Sequence, residues 1–286
     1  MEDTQHYGGL YKAKIASELI EEIIGGKIPY TIKPIFSKIK VYGWLPISSR
    51  RDNLKQVLFA CGGCVKKQDG DVYITTLDVN TPITIPDSRV IEGGNVEYSN
   101  INKVAVVEHG YYTSDDTEEI KLFNGELAGK NFVSPKGYSV KNAGIVTWND
   151  PCYDITFENC VLLNNEVDAN YAVIQASPNA LIKGKPYTHT ENVVYKEKPN
   201  YVGEEKIATV EDATLVSLAN SASTAERVMA YYGNATTLTT TFILNEEKPT
   251  DIVSFKDPFG DNTSGFIKSL EGNFGSTVSS AGAEVI

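Results

Sequence analysis

Residues 41–77 read VYGWLPISSRRDNLKQVLFACGGCVKKQDGDVYITTL, and the predicted architecture is built outward from them. The stretch predicts a short strand, a helix and a second strand that returns past a tight turn. Ser49 is placed to accept from the first free backbone N–H groups of the helix. Asp52 follows three residues later, where a carboxylate closes a capping box. The helix is therefore predicted to begin at Ser49.

This helix is predicted to be amphipathic. Its apolar positions recur at i, i+3, i+4 and i+7 and are Leu54, Val57, Leu58 and Cys61. The positions predicted to face water are Arg50, Arg51, Asn53, Lys55 and Gln56. Gly62 and Gly63 end the helix, since glycine takes the left-handed cap conformation without steric cost. A polar turn at residues 66–71 then leads into a strand predicted over residues 72–77.

A second amphipathic helix is predicted ahead of this stretch, and Gly25 and Gly26 end it. Its apolar stripe consists of Ala13, Ile15, Ala16, Leu19, Ile20, Ile23 and Ile24. Residues 28–36 contain two prolines, so they are predicted to be a linker or an edge strand. The glycine pairs on either side of the helix have the wrong spacing for a dinucleotide fingerprint, and no cofactor is predicted.

From about residue 78 the chain changes character. Residues 81–87 read as an exposed extended connector, and short alternating runs separated by Gly, Asn, Asp and Pro follow, with no helical period. The runs are residues 104–109, 120–123, 144–148, 153–157, 172–175, 180–182 and 192–195. The pattern predicts an inserted all-β domain, a sandwich or barrel of roughly 100 to 115 residues.

The last part of the chain is predicted to return to the first domain after a polar linker at residues 198–206. Ser223 and Glu226 have the spacing of a capping box, and the helix that they open is predicted to end at Gly233. Its apolar positions are Ala225, Val228, Met229 and Tyr232. Strands are predicted at residues 236–244, 252–255 and 265–270, and we expect them to pair near the strand at residues 72–77. Residues 276–286 are predicted to be frayed.

These elements predict an α+β fold that is mostly β. A mixed helix-strand domain (residues 1–90 and 201–286) is interrupted by the inserted all-β domain (residues 91–200). The formal net charge of −11 and the pI near 4.9 argue against specific nucleic-acid binding, because backbone phosphates would be repelled. No apolar run is long enough to cross a bilayer, and the amino end lacks the pattern of a signal peptide. We therefore expect synthesis in the cytoplasm and no membrane partner.

Four cysteines in one chain raise the possibility of a metal or redox site. Cys61 and Cys64 form one close pair, whereas Cys152 and Cys160 are eight positions apart in another region. A zinc site requires two close pairs or added histidines, and a thioredoxin-like pair lies at the start of a helix rather than at its end. We expect Cys61 to be a small core residue and Cys64 a turn or strand residue.

The histidines and clustered carboxylates do not form a recognisable catalytic motif. His6, His109 and His189 are far apart in sequence, and His109, at the end of a strand, is expected to be an ordinary surface or sheet-edge residue. The acidic cluster consists of Asp115, Asp116, Glu118 and Glu119. Paired acids could hydrolyse glycosides and clustered acids could bind calcium, but a solvated loop is expected instead. No catalytic, cofactor-binding or metal-binding residue is predicted.

Sixteen tyrosines are more than a chain of this size usually has. Aromatic side chains with polar tips suit protein interfaces and also carbohydrate platforms. The alternative function is therefore a carbohydrate-binding or adhesin-like surface module that uses exposed tyrosines or Trp148. Ordinary strand tyrosines with one wet face are the other interpretation.

Two blocks of sequence resemble the hub proteins of phage tail baseplates, a family that includes late-control-type proteins and their prophage relatives. The first block matches at Gly43, Leu45, Pro46, Ser49, Arg51, Leu54, Val57, Phe59, Ala60, Gly62 and Val65. The second comprises residues 210–216, 225–228, Tyr231 and Tyr232. The two blocks and the spacing between them cover most of the chain. Neither block is a catalytic motif.

The resemblance implies a structural, non-enzymatic subunit of a virion tail, made in the bacterial host cytoplasm. In the family, such subunits form a homo-oligomeric ring, a trimer, that adapts the tail tube to the spike or tip. The β insert and the strands after Thr236 would form the ring contacts, and an acidic lumen would repel passing DNA. Family members carry a further β segment ahead of residues 8–11, so the resemblance implies an incomplete first barrel unless another chain supplies that segment.

Overall fold

The computed structural model describes residues 5–26, 28–68, 71–76, 82–98, 101–133, 137–233, 236–257, 259–273 and 280–285. Within them the helices are α1 (Ala16–Ile24), α2 (Arg50–Cys61) and α3 (Ser221–Gly233). The strands of the first part are β1 (Gln5–His6), β2 (Gly9–Ile15), β3 (Tyr30–Ile32), β4 (Lys40–Leu45), β5 (Ser48–Ser49), β6 (Gly63–Gln68), β7 (Asp71–Thr76), β8 (Ile83–Thr84) and β9 (Val90–Tyr98).

Strands continue through the middle and the end of the chain. They are β10 (Lys103–Tyr112), β11 (Ile120–Gly125), β12 (Asn131–Val133), β13 (Ser139–Lys141), β14 (Ala143–Thr147), β15 (Cys152–Asp168), β16 (Tyr171–Pro186), β17 (Thr188–Glu197), β18 (Ile207–Val210), β19 (Thr236–Ile243), β20 (Ile252–Lys256), β21 (Asn262–Asn273) and β22 (Ser280–Val285). The predicted mostly-β α+β fold is confirmed. Each sheet in the described residues is open, so the barrel form of the prediction is not observed.

Helix α2 begins and ends as its sequence predicts. The Ser49 hydroxyl oxygen accepts from the Asp52 N–H at 3.1 Å, and Gly62 takes the left-handed cap conformation with φ 68°. The side chains predicted to face water do so only in part. Asn53 is buried, with its amide 2.9 Å from His6 Nδ1, and Arg50 donates to the carbonyls of Glu22 and Ile23 at the end of α1. The helical period places Arg50 and Asn53 on the same side of α2 as the buried Val57, where neighbouring elements cover them.

Helix α1 starts later than predicted. The residues from Ala13 to Ile15 belong to β2, which pairs antiparallel with β4, and Ala13 lies at a bulge with φ 69°. Pairing with β4 satisfies the backbone groups of β2, so the helix begins only where that ladder ends. The predicted end at Gly25 is confirmed, with φ 59°. β3 is an edge strand of the sheet β3-β7-β6, in agreement with one of the two predictions for residues 28–36. In β7 the described part ends at Thr76, and residues 69, 70 and 77 lie outside the described residues.

The first core lies between α1, α2 and the three-stranded sheet β3-β7-β6. Its fully buried side chains include Leu19, Ile20, Phe36, Val57 and Ile74. Arginines from other elements close the carboxyl ends of both helices. The Arg50 guanidinium donates to the Glu22 carbonyl at the end of α1. The Arg227 guanidinium donates to the carbonyls of Phe59 at 3.0 Å and Ala60 at 3.3 Å at the end of α2. These bonds satisfy carbonyls that a helix leaves without partners, and they place positive charge at the negative helix end.

Strand β10 is the centre of the sheet β17-β10-β18, and α3 packs on one of its faces. Val104 and Val106 from β10 meet Ala225, Val228 and Met229 from the helix. The predicted capping box at the start of α3 is wrong, because the helix already begins at Ser221. The Ser223 hydroxyl, inside the first turn, donates to the Asn220 carbonyl at 2.9 Å. Just before the helix, the side-chain oxygen of Asn220 accepts from the Ser217 N–H at 2.8 Å.

The middle of the chain is a sheet centred on β16, with β11 and β14 as neighbours and β15 also paired to β16. Several short predicted strands are parts of long ones here: residues 172–175 and 180–182 both lie in β16. The asparagines that interrupt the sequence pattern do not end the strands. Asn159, Asn164, Asn165 and Asn179 have positive φ, and the ladder between β15 and β16 passes them with register shifts at bulges.

The last strands form a six-stranded sheet in the order β8-β20-β21-β22-β19-β9. The prediction that they pair near residues 72–77 is wrong, because β7 pairs with β3 and β6. The connector prediction is wrong in part: β8 pairs with β20, and Ile85 is buried. The frayed end is also wrong for β22, which pairs with β19 and β21; residues 276–279 and 286 lie outside the described residues. The domain boundaries at residues 91 and 201 stay predictions.

Candidate functional site: a histidine cleft

A cavity of about 720 Å³ lies between the open face of β10 and β17 and three other parts of the chain, which are β4, the loop at residues 150–151 and residues 211–214. The lining residues that matter for its chemistry are Trp44, His109, Tyr111, His189, Glu191 and Thr214. Gly43 brings β4 close to this place, because its Cα lies against the backbone of Thr214 and Leu215. The cleft is therefore assembled from segments that are distant in sequence.

The register of β10 and β17 places three of these side chains together. His109 is directly opposite Glu191, and Tyr111 is directly opposite His189. Alternate residues of a strand point to the same face, and directly opposite residues share a face. His109, His189 and Glu191 therefore meet on the face of the sheet that α3 does not cover.

His109 is held rigidly in one orientation. It is 6% exposed, and its Nε2 lies 2.9 Å from the backbone carbonyl of Glu211. A carbonyl only accepts, so the Nε2 atom carries a hydrogen, and in the neutral ring Nδ1 then presents a lone pair. Nδ1 lies 3.0 Å from His189 Nε2, which is the donor of this pair when the His109 ring is neutral. The prediction of an ordinary surface or sheet-edge histidine at position 109 is wrong, since the residue is buried, its backbone N–H donates to the Val216 carbonyl at 2.8 Å and its ring contacts the Glu211 carbonyl.

Glu191 completes the group with a carboxylate oxygen close to both rings. Its Oε1 is 3.7 Å from His109 Nδ1 and 3.8 Å from His189 Nε2. The side chains of Glu191 and His189 are 58% and 40% exposed, so they have room to move, whereas His109 does not. Within the described part of the chain, these three residues form the one group of His, Cys, Asp or Glu side chains whose ligand atoms are close enough together to bind a metal ion.

Aromatic rings form the floor beside the histidines. The Tyr111 ring stacks on His189 with centroids 4.7 Å apart and an angle of 13°, and Trp44 meets Tyr111 edge-on at 6.1 Å. Burial raises the pKa of Tyr111 to about 12, with a further contribution from the negative charge of Glu191, so the phenol stays neutral. Trp44 Nε1 and Thr214 Oγ1 are buried and have no hydrogen-bond partner among the described residues. Both residues line the cleft, but these two polar atoms are buried in its wall.

The other singled-out residues lie elsewhere. His6 is buried beside α2, where it contacts Asn53 and Glu22. The acidic loop with Asp115, Asp116, Glu118 and Glu119 is exposed, as a solvated loop is expected to be. Trp148 is buried and its indole N–H donates to the Ala169 carbonyl at 2.6 Å, so it offers no exposed platform for a sugar.

The four cysteines are free thiols. Burial raises the pKa of Cys61 to about 11, with the nearby Arg227 opposing the shift, and burial also raises the pKa of Cys152 to about 11. Both thiols are therefore protonated near neutral pH. This disfavours the thiolate that redox chemistry and metal binding require.

Sequence reasoning missed the cleft because its members are far apart along the chain. The signal available was His189-Thr-Glu191, two ligand-type residues on one face of a strand. The predicted strand began only at residue 192, which hid that alternation.

None of the described helices is both long and apolar enough to pass through a membrane. No protein-family model matches the sequence, and no curated protein gives a significant match. Solved structures do match. The tail protein from Neisseria meningitidis MC58 aligns with a TM-score of 0.51 at 10% identity, over 98% of this chain and 70% of that protein. The two chains share a fold.

Two further solved structures align at lower TM-scores. A 43 kDa tail protein of prophage MuSo2 from Shewanella oneidensis gives 0.49 at 7% identity, over 97% of this chain and 64% of that one. Prophage tail protein gp18 from Listeria monocytogenes EGD-e gives 0.48 at 11% identity, over 99% and 68%.

Proposed function

We propose that this chain is a structural subunit of a phage or prophage tail and that it serves as a baseplate or tail-tip hub. In this role it forms a homo-oligomeric ring, a trimer, which adapts the tail tube to the spike or tip, without enzymatic activity. The observation that carries the proposal is the fold shared with a tail protein over 98% of this chain. The two blocks of sequence around α2 and α3 support the hub assignment.

The contacts between those two blocks give them a physical meaning. Arg227 of the second block caps the carboxyl end of α2 in the first block, and Gly43 of the first block lets β4 approach Thr214 and Leu215 of the second. Close packing between the blocks explains why arginine and glycine occupy these positions, and no chemistry on a substrate is needed to explain them. Such a pair of blocks is what a structural scaffold requires.

Exposed apolar side chains on sheet edges support the oligomeric part of the proposal. Val161 lies on β15, an edge strand of its sheet in the described residues, and it is 61% exposed. Edge strands with exposed apolar groups favour pairing with another chain. We place ring contacts on this part of the chain and on the strands after Thr236.

The first test is peptide mass spectrometry on purified tails from the induced source strain, with a tail-tube protein as the internal abundance standard. A few copies of this chain per tail are expected. Its absence from tails whose tube protein is plainly present would contradict the hub proposal. Binding of the isolated protein to a host polysaccharide, with no place in tails, would favour the carbohydrate-binding alternative.

The ring is tested separately by measuring the mass of the purified protein with light scattering after size exclusion. The intact chain is expected to be a trimer, and Val161→Glu is expected to shift it to the monomer because a charge replaces an apolar contact. Val202→Glu is the matched control, since Val202 is 96% exposed in a loop. An intact chain that is monomeric at all concentrations, or equal loss of trimer in both variants, would contradict the proposed contact surface.

A further inference from the structure

We propose that His109, His189 and Glu191 bind one divalent transition-metal ion of the zinc class in the cleft between β10 and β17. This site goes beyond the hub function and does not depend on it. Two imidazole nitrogens and one carboxylate oxygen are a donor set that suits zinc, cobalt, nickel or copper, whereas calcium and magnesium prefer oxygen ligands alone.

The distances between the donor atoms carry the first step. His109 Nδ1, His189 Nε2 and Glu191 Oε1 are separated by 3.0, 3.7 and 3.8 Å. A circle through three atoms with these separations has a radius of about 2 Å, which equals the zinc–nitrogen and zinc–oxygen bond lengths of roughly 2.0 to 2.2 Å. An ion centred slightly above the plane of the three atoms would contact all of them at bonding distance.

The hydrogen bonds behind the site carry the second step. A metal-binding histidine usually donates its other ring N–H to a carbonyl or carboxylate, which fixes the tautomer and aims the lone pair. His109 does this already: Nε2 donates to the Glu211 carbonyl at 2.9 Å, and Nδ1 faces His189 and Glu191. The most buried of the three ligands is therefore preorganised.

The two exposed ligands supply the adjustment that binding needs. The two imidazole rings lie within 9° of parallel with centroids 5.3 Å apart, so the N–H of His189 points at the lone pair of His109. An ion replaces that hydrogen, and the His189 ring must turn so that its lone pair faces the ion. The side chains of His189 and Glu191 are 40% and 58% exposed, which leaves space for both to turn.

The cavity completes the coordination. Three protein ligands leave a fourth position of a tetrahedral ion for water or for a group that enters the cleft of about 720 Å³. Trp44 and Thr214 line the same cavity. Because two ligands lie on β17 and one on β10, the bound ion would also clamp the edge strand β17 to the sheet.

The test is calorimetric titration of the purified, metal-stripped full chain with Zn²⁺ alone, followed by thermal unfolding with and without the ion. One ion per chain is expected, together with a rise in Tm, since an ion that binds only the folded state stabilises it. His189→Gln is expected to abolish saturable binding. Glu191→Gln is expected to raise the Kd for Zn²⁺ at least about tenfold. Because Glu191 is exposed, this variant should fold normally, which circular dichroism checks.

Glu197→Gln is the matched control, because Glu197 is on the same strand and is 64% exposed. It is expected to leave the Kd unchanged. Visible absorption of bound Co²⁺ gives an independent readout of a tetrahedral site. Three outcomes would each overturn the proposal: an intact chain that shows no saturable binding, a His189→Gln variant that binds with unchanged affinity, or equal weakening by Glu191→Gln and Glu197→Gln. None of these measurements depends on tail assembly.

Discussion

The region around α2 and the histidine cleft are built by contacts of very different range. At α2 the Ser49 hydroxyl meets Asp52 three residues away, and the Gly62 N–H reaches the Leu58 carbonyl four residues back. In the cleft, His109 meets His189 across 80 residues and the Glu211 carbonyl across 102. The difference shows which features a local pattern can reveal, because cap chemistry is contained in a few adjacent residues and the cleft is not.

The largest effect is expected where the two regions touch. Gly43 has φ 111°, and a Cβ there would lie 2.6 Å from the Thr214 carbonyl oxygen. Gly43→Ala should lower the free energy of unfolding by about 3 kcal/mol, from backbone strain and overpacking together. Urea denaturation of the variant and of the intact chain measures this difference in the free energy of unfolding.

The control for this change is Gly144→Ala, where the nearest atom to the new Cβ would be Leu127 Cδ1 at 3.7 Å. Gly144→Ala should lower the free energy of unfolding far less than Gly43→Ala does. Equal losses in the two variants would mean that the approach of β4 to Thr214 is not a tight constraint, and that the two regions are less closely joined than the contact indicates.

The second effect concerns the long-range bond that completes the helical region. Arg227→Met keeps the length of the side chain but removes the bonds to the Phe59 and Ala60 carbonyls. The expected cost is about 2 kcal/mol, as for charge-assisted hydrogen bonds. Arg51→Met, on the exposed face of α2, should stay within about 0.5 kcal/mol of the intact chain. Equal costs by urea denaturation would show that the guanidinium contributes no capping.

A smaller effect separates a true cap from a predicted one. Ser49→Ala removes the acceptor for the Asp52 N–H and should cost about 1 kcal/mol. Ser223→Ala should be nearly neutral, because Ser223 lies inside α3 and alanine is the better helix former there. If thermal unfolding ranked the two variants in the opposite order, the start of α3 at Ser221 would be wrong.

The smallest effect is a pH dependence at the contact between β15 and β2. Burial raises the pKa of the Asp168 carboxyl, although the N–H groups of Ala169 and Leu10 oppose the shift. A carboxyl with a higher pKa in the folded chain stabilises that state when protonated, and this contribution is lost as the pH rises through the folded pKa.

Asp168→Asn remains neutral, so the stability of this variant relative to the intact chain should increase as the pH rises from the ordinary aspartate range through that pKa. Urea denaturation at a series of pH values measures the difference. Asp116→Asn, in the exposed loop, is the control. A difference for Asp168→Asn that does not change with pH would contradict the raised pKa.

Several predictions failed for one physical reason, which is that pairing with a distant strand overrode a local signal. The apolar Ala13 and Ile15 fit a helical stripe, yet β2 pairs with β4 and delays the helix. The asparagines of β15 resemble strand ends, yet β16 accommodates them with bulges. The free energy of a ladder of backbone hydrogen bonds and of side-chain packing exceeds the weak preference of any one residue.

The sequence by itself determined the mostly-β α+β composition, the position and caps of α2, the carboxyl end of α1 and the existence of most strands. These features depend on neighbours within one or two turns, or on alternation within a strand. Only the tertiary structure decided which strands share a sheet, which arginine caps which helix, and that His109, His189 and Glu191 meet. Those outcomes depend on strand register and on close approach between segments that are as much as 168 residues apart, as Arg227 and Phe59 are, and no local pattern encodes them.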